Sequence, residues 1–450
     1  MPTTPRRRLR DAMTVVTPVR TKAETALTAQ FEALRAELPK EGLAAREEAI
    51  STFAAMGLPH RRVEAYHYTD LRNLLREAAP LAPIAKGKKK AAKGEQALAA
   101  RGLLGGVETH EIVIINGRLQ EMPNALALPA GATLSVGADT APAILDGADA
   151  VVSLNTALAR ETVTLEVAAG VTLERPLHVA FIQEAGAPQA VFARLKLGLG
   201  EGASATLIET LTGPSGIAMQ TNIAVEIAVA DKARLTHVRV AAEGDDAFSL
   251  TSLGLSLGRE AEALSLSLAQ GSRIARHQIL ARLLGEDAKL KLAGAAMLDQ
   301  ARHSDVTLVV DHAVPGGQSR ELFKTVIEDR AAGVFQGKII VRPHAQKTDG
   351  KMMSAALLLS EDAAMSNKPE LEIFADDVQC GHGATCGALD DDLLFYLMAR
   401  GIPRRDAQAL LIRSFLGEAI DEVQDEALHE ALGRIVNGWL SRRGEKDGVL

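Results

Sequence analysis

Apolar residues recur along this chain with two different periods. Near the N-terminus Leu27, Phe31, Leu34 and Leu38 fall three or four apart, and Pro39 closes the run. Ile50, Phe53 and Met56 repeat the pattern and stop at Gly57-Leu58-Pro59. That spacing lines one face of a helix, so residues 1–80 are predicted to be a helical region. Within it HRRVEAYHYTDLRNLL adds a short helical turn that Thr69 or Asp70 can cap. Residues 81–107, rich in Lys, Ala and Pro, read as a linker.

From residue 108 the period becomes two. EIVIING (111–117), TVTLEV (162–167), NIAVEIAV (222–229) and DVTLVVDH (305–312) alternate apolar and polar residues, as half-buried strands do. Helical periodicity is nearly absent until about residue 388. Inside this stretch a turn, a small residue and a leucine recur at Leu134, Leu173, Leu207, Leu235, Leu264 and Leu290. The later steps settle to 26–29 residues, the mark of stacked coils. The predicted fold is mainly β: a right-handed parallel β-helix core over 108–387, flanked by N-terminal and C-terminal α-helical regions. Two packed antiparallel sheets are the competing architecture.

Residues 388–450 return to helix. Asp390 or Asp391 can cap a helix that runs to Arg400, with Gly401 and Pro403 beyond it. The next helix, near 404–423, carries two apolar stripes: Ala407, Leu410, Leu411 and Phe415, and on the opposite side Ile412, Leu416, Ile420 and Val423. One stripe is expected on the solenoid end and the other free for a partner. Leu428, Leu432, Ile435, Val436 and Trp439 share one face of a last helix.

Composition fits a stack of coils. Apolar residues make up 47% of the chain but aromatics only 3%, which suits ladders of small aliphatic side chains. The net charge of -7 gives no general attraction to nucleic acid, and the basic clusters Arg6–Arg10 and Lys86–Lys93 lack interleaved aromatics for stacking on bases. No run of about 18 apolar residues is present to span a membrane. Two cysteines in 450 residues make no disulfide framework, so a reducing compartment, the cytoplasm, is expected. An arginine-rich start leaves an organelle transit peptide as the alternative.

The chemistry-bearing residues are few. Signatures of nucleotide loops, zinc proteases and serine hydrolases are absent from the sequence. In RHSDVTLVVDH, Asp305 and Asp311 share one strand face and Ser304 and His312 the other. Two carboxylates on one face can hold a cation, or can simply satisfy turns and solvate a surface. DDVQCGHGATCG holds both cysteines, with Cys380, His382 and Cys386 close together. A closed zinc site needs four ligands, so Asp376, Asp377 or a second chain would have to complete it. Thiolate and imidazole suit iron, zinc or a cluster in transit, and a glycine-rich loop with an inert cysteine is the plain alternative.

The run from SDVTLVVDHAVPGG through ELFKTVIEDRAAGVFQGKIIVRPHAQKTDGKMMSAALLLSEDAAMSNKPELEIFADDVQCGHGATCG to LDDDLLFYLMARGI resembles the SufB/SufD family of iron–sulfur cluster assembly proteins. VVSLNTALAR, LERPLHV and GLPHRRVEAYHYTDL extend the resemblance over nearly the whole chain. CGHGAT at 380–385 is similar to the SufD-like branch, whereas SufB-like chains carry glutamates there.

The resemblance implies a parallel β-helix between helical ends and a non-catalytic scaffold subunit. It implies pairing with a SufB-like paralogue through the β-helix end and docking of a SufC-like ATPase on the C-terminal helices. ATP would be bound by that partner. Cys380 and His382 would hold a transient Fe–S cluster shared with the paralogue, while Cys386 matches no family pattern. Phe395, Tyr396, Arg400, Leu410, Ile412, Phe415 and Leu416 would face the ATPase. A homodimer of the isolated chain and a flavin in the complex stay open. The alternatives are a β-helix enzyme acting on polysaccharide and a purely structural adaptor without a cluster ligand.

Overall fold

The computed structural model describes residues 20–83, 95–120, 128–137 and 144–447. The basic clusters Arg6–Arg10 and Lys86–Lys93 lie outside them.

Strands alternate between two sheets as the chain coils. One sheet holds β1 (His110–Ile115), β2 (Arg118–Leu119), β5 (Leu177–Ile182), β7 (Ser204–Thr212), β9 (Arg234–Ala242), β11 (Glu262–Ala269), β13 (Lys289–Leu298), β15 (Gln318–Ile327), β17 (Asp349–Leu358) and β19 (Gln379–Gly387). The other holds β3 (Ala132–Gly137), β4 (Thr162–Val167), β6 (Ala190–Leu199), β8 (Gln220–Val229), β10 (Phe248–Leu257), β12 (Ile274–Leu283), β14 (His303–His312), β16 (Ala332–Val341) and β18 (Ala364–Ile373). From β4 onward each strand pairs in parallel with the second strand after it, which makes a parallel β-helix. Only β1–β2 and β3–β4 pair antiparallel among the described strands.

The corners explain the sequence repeat. Gly202, Lys232, Glu260, Asp287, Gly316 and Lys347 all have positive φ, from 56° to 77°, and stand one above another. Each amide bonds to the corner of the next coil, as Lys232 N–H does to the Arg259 carbonyl at 2.8 Å and Glu260 N–H to the Glu286 carbonyl at 2.8 Å. The residue after each of the first four is a fully buried alanine: Ala203, Ala233, Ala261, Ala288. The ladder that follows reads Ala205, Leu235, Ala263, Leu290. Leu264 therefore misses the predicted leucine column by one position and pairs with Thr236 on the outer face. Leu134 sits in the antiparallel β3. The period was right, but its repeating unit is the left-handed corner and its alanine rather than the leucine.

Helices cover the outer faces of both sheets. Helices α1 (Lys22–Arg35), α2 (Leu43–Met56), α3 (Leu71–Leu74) and α5 (Ala150–Leu158) bury Leu27, Phe31, Phe53, Tyr66 and Leu154 with Phe192, Phe248 and Ile274 of the second sheet. Thr21 and Glu24 form a capping box that starts α1. Helix α5 lies within the stretch read as strand; its VVSLNTAL run is buried all round, so it shows no amphipathic stripe. Helix α4 (Glu95–Leu103) occupies part of the expected linker and packs near β5 and β7.

Helices α6 (Asp391–Met398), α7 (Arg404–Ile420) and α8 (Glu426–Asp447) lie against the first sheet. Ile412, Leu416 and Ile420 of α7 meet Val238, Val240, Leu266 and Leu268, while Leu428, Leu432, Val436 and Trp439 complete the layer. The C-terminal helices thus pack on the side of the solenoid and not on its end. Ala407 is fully buried as well, although five residues turn it about 140° away from Ile412 around the helix.

Asp305 and Asp311 make no cation site. Asp305 points to the outer face and is buried under the N-terminal region, bonded to Arg276 and the Thr69 hydroxyl. Asp311 pairs with Arg342 at 2.8 Å. Six strand residues separate the two carboxylates by about 20 Å.

Candidate functional site at the open end of the β-helix

Strands β18 and β19 are the last rungs of their sheets, and no described residue pairs with their outer edges. Alternation along β19 sends Cys380, His382, Ala384 and Cys386 to the face that lines the lumen, as the buried partners below them prove. Cys380 stacks on Gly350 and then Ser319; His382 stacks on Met352 and then Glu321. Cys380 packs against the main core and is half-buried, while His382 and Cys386 are exposed at the mouth. Burial pushes the Cys380 thiol up; the Gly350 backbone pulls it down, and the Asp349 and Glu321 carboxyls add to the rise.

This geometry separates the predicted trio. Cys380 and His382 are two residues apart on one face, about 7 Å, whereas Cys386 lies about 13 Å beyond His382 along the strand. Asp377 is tied to Lys347. Among the described residues no group of three metal-ligating side chains converges, so they form no four-ligand zinc site. What the end presents is a thiol and an imidazole open on one side.

Below them the lumen holds a polar group that sequence reasoning missed. Glu321 is 2% exposed, and neither of its carboxylate oxygens has a hydrogen-bond partner. Burial raises its carboxyl from the usual 4.5 to about 8, against smaller opposing pulls from Ser319 and Arg320. The Ser319 hydroxyl bonds His312 Nε2 at 3.0 Å, and His312 Nδ1 is buried without a partner. Burial lowers that imidazole to about 4, with Asp311 opposing. On the same coil as Glu321, Phe323 and Phe335 pack at 5.0 Å between centroids, in one core cluster with Leu292 of the rung below. Gly294 makes room for the Phe323 ring, since a Cβ there would clash with it. The signal was available: in QSRELFKTVI, Ser319 and Glu321 share the parity of Phe323, so polar residues occupy positions that should be apolar.

The C-terminal helices carry an exposed apolar patch: Leu393, Phe395, Tyr396 and Met398 of α6 with Leu410 of α7. Phe395 is 74% exposed, and the Arg400 guanidinium lies 3.5 Å over the Tyr396 ring. Asp390 caps α6 through the amides of Asp392 and Leu393. Ile412 and Leu416 were placed on a partner surface by sequence, but both are fully buried against the solenoid. Phe415 is half-buried beside them under the Lys324 ammonium, 4.7 Å from its ring centre. The exposed apolar face is therefore α6 and the Leu410 edge of α7.

The SUF system FeS cluster assembly SufBD core domain matches residues 181–415, and the SufBD protein N-terminal region matches 22–179. The chain belongs to the SufBD family. The core match spans the solenoid from β6 to its open end, and the N-terminal match spans the helices that cover the second sheet together with β1–β4. This SufBD chain is 32% identical over 385 residues to the iron–sulfur cluster assembly protein SufD of Escherichia coli, covering 84% of this chain and 89% of that protein. It is 28% identical to a SufBD family protein of Synechocystis, covering 87% and 90%. Protein ABCI7, chloroplastic, of Arabidopsis thaliana is 28% identical over 66% of this chain and 64% of its own length. No described helix of this SufBD protein is long and apolar enough to cross a membrane.

Proposed function

We propose that this chain is the SufD-type scaffold subunit of a cytoplasmic SUF assembly complex. In this reading the open β-helix end pairs with a SufB-type paralogue, and a nascent Fe–S cluster forms as cargo between the two. His382 and Cys380 supply this chain's ligands, and the paralogue supplies the others. The exposed α6–Leu410 patch takes a SufC-type ATPase, in which ATP is bound and hydrolysed.

One observation carries the reading: no described strand pairs with the outer edge of the last rung, and its lumen face offers a thiol beside an imidazole with no third ligand near among the described residues. Unpaired strand edges are ready templates for another sheet, and a half-complete soft ligand set calls for completion across that joint. The test is His382→Ala and Cys380→Ser in the complex purified anaerobically with its partners. Loss of most cluster iron and sulfide in the His382 variant, with the complex still assembled, is the expected result. Wild-type cluster content and client maturation in both variants would leave a structural adaptor only.

A further inference from the structure

The lumen beneath Cys380 and His382 contains an acid with nothing to bond. Glu321 reaches inward from β15, two rungs of about 4.8 Å below His382. Met352 separates the two, so the carboxyl and the imidazole do not touch. Leu292 of β13 lies on the rung below, and Phe335 and Ile339 line the lumen from β16. The titratable groups around it are His312 at the end of β14, Asp349 on β17, and Cys380 and His382 on β19. Arg320 faces outward and is spent on Asp349. Among the described residues no cation neutralises Glu321 from inside, and both its oxygens lack a protein hydrogen-bond partner. A buried carboxyl that no protein group bonds calls for a reason.

We propose that Glu321 is the charge-compensating acid of the open end: it is neutral while the site is empty and ionises when a divalent cation is loaded on Cys380 and His382. The inference rests on the reading of those two residues as cargo ligands. Loading then exchanges one divalent cation for two protons. One leaves the Cys380 thiol as the metal–sulfur bond forms, and one leaves the Glu321 carboxyl; His382 binds as the neutral imidazole. The positive charge that remains on a cation with one thiolate is balanced by the new carboxylate, across a lumen too apolar to screen it. The apolar neighbours Phe323 and Phe335 on the same coil, and Leu292 on the rung below, keep that balance within the chain.

The test is calorimetric titration of the full-length chain with Co²⁺ under anaerobic conditions near pH 7, in two buffers of different ionisation enthalpy. Thiolate-to-cobalt absorption reports ligation by Cys380. Wild type should release about one proton more per bound cation than Glu321→Gln, and the variant should bind Co²⁺ more weakly by about tenfold. Glu321→Leu, which leaves no unpaired polar atom in the lumen, gives the same comparison if the glutamine variant does not fold. Equal proton release from wild type and both variants, with cobalt on Cys380, overturns the role of Glu321 alone. Failure of the chain to bind Co²⁺ overturns this inference alone, and binding that survives loss of both Cys380 and His382 overturns the ligand reading and this inference with it.

Discussion

Replacing Glu321 by glutamine should change how stability depends on pH. In the unfolded chain this carboxyl titrates near 4.5; in the fold burial holds it up to about 8. A raised carboxyl value means that the fold prefers the protonated form, so folding takes up a proton between those two values. Stability from this residue is then greatest below about pH 4.5 and declines as pH rises, levelling off above about pH 8. At one pH unit per 1.36 kcal/mol, the burden is about 1 kcal/mol at pH 5 and about 3 kcal/mol at pH 7. Glutamine removes the titration and leaves an unpaired amide that costs about 1–3 kcal/mol at every pH. The stability difference, variant minus wild type, should therefore grow by about 2 kcal/mol from pH 5 to pH 7. Urea unfolding followed by circular dichroism at several pH values measures it. Burial of His178 and His312, each lowered to about 4, affects both chains alike and cancels in the difference. A difference that stays flat from pH 5 to pH 8 would refute the reasoning, because it would mean that Glu321 is ionised in the fold.

Two further perturbations separate fold from function. Asp305→Asn leaves the buried Arg276 guanidinium without its carboxylate and weakens the Thr69 anchor, so it should cost about 3–5 kcal/mol and speed proteolysis near residues 60–75. Wild-type melting and cleavage would contradict that account. On α7, Leu416→Asp buries a charge against the solenoid and should lower the melting temperature sharply, whereas Leu410→Asp should leave melting unchanged and abolish ATPase co-purification. Equal effects of the two variants on melting would show that the two faces are not distinct.

Much of this molecule is legible in its sequence because local periodicity survives into the fold. Helical spacing at Leu27, Phe31 and Leu34 and at Leu428, Leu432 and Val436 marks helices whose single apolar face packs on a sheet. Alternation in 222–229 and 305–312 marks strands, and a repeat length near 28 residues marks coils, since each rung must return to the same corner. The Cys380–His382 pair is visible as well, because two residues of equal parity on a strand share a face.

Other features are decided only by packing. Helix α5 is buried on every side and so carries no stripe to read. Whether Ile412 or Leu410 meets the solenoid depends on where the sheet lies, which no helical wheel contains; the sheet takes Ile412 and Leu416 and leaves Leu410 outside. Asp305 and Asp311, alike in sequence, are parted by the N-terminal region that covers one and leaves the other near solvent. Glu321 comes to lie under His382 only because strands fifty or more residues apart stack in register. Sequence by itself determines which residues can share a face, since that follows from bond geometry. Which face is covered, and what stands above or below it, is set by the coil, because stacking joins rungs that are distant along the chain.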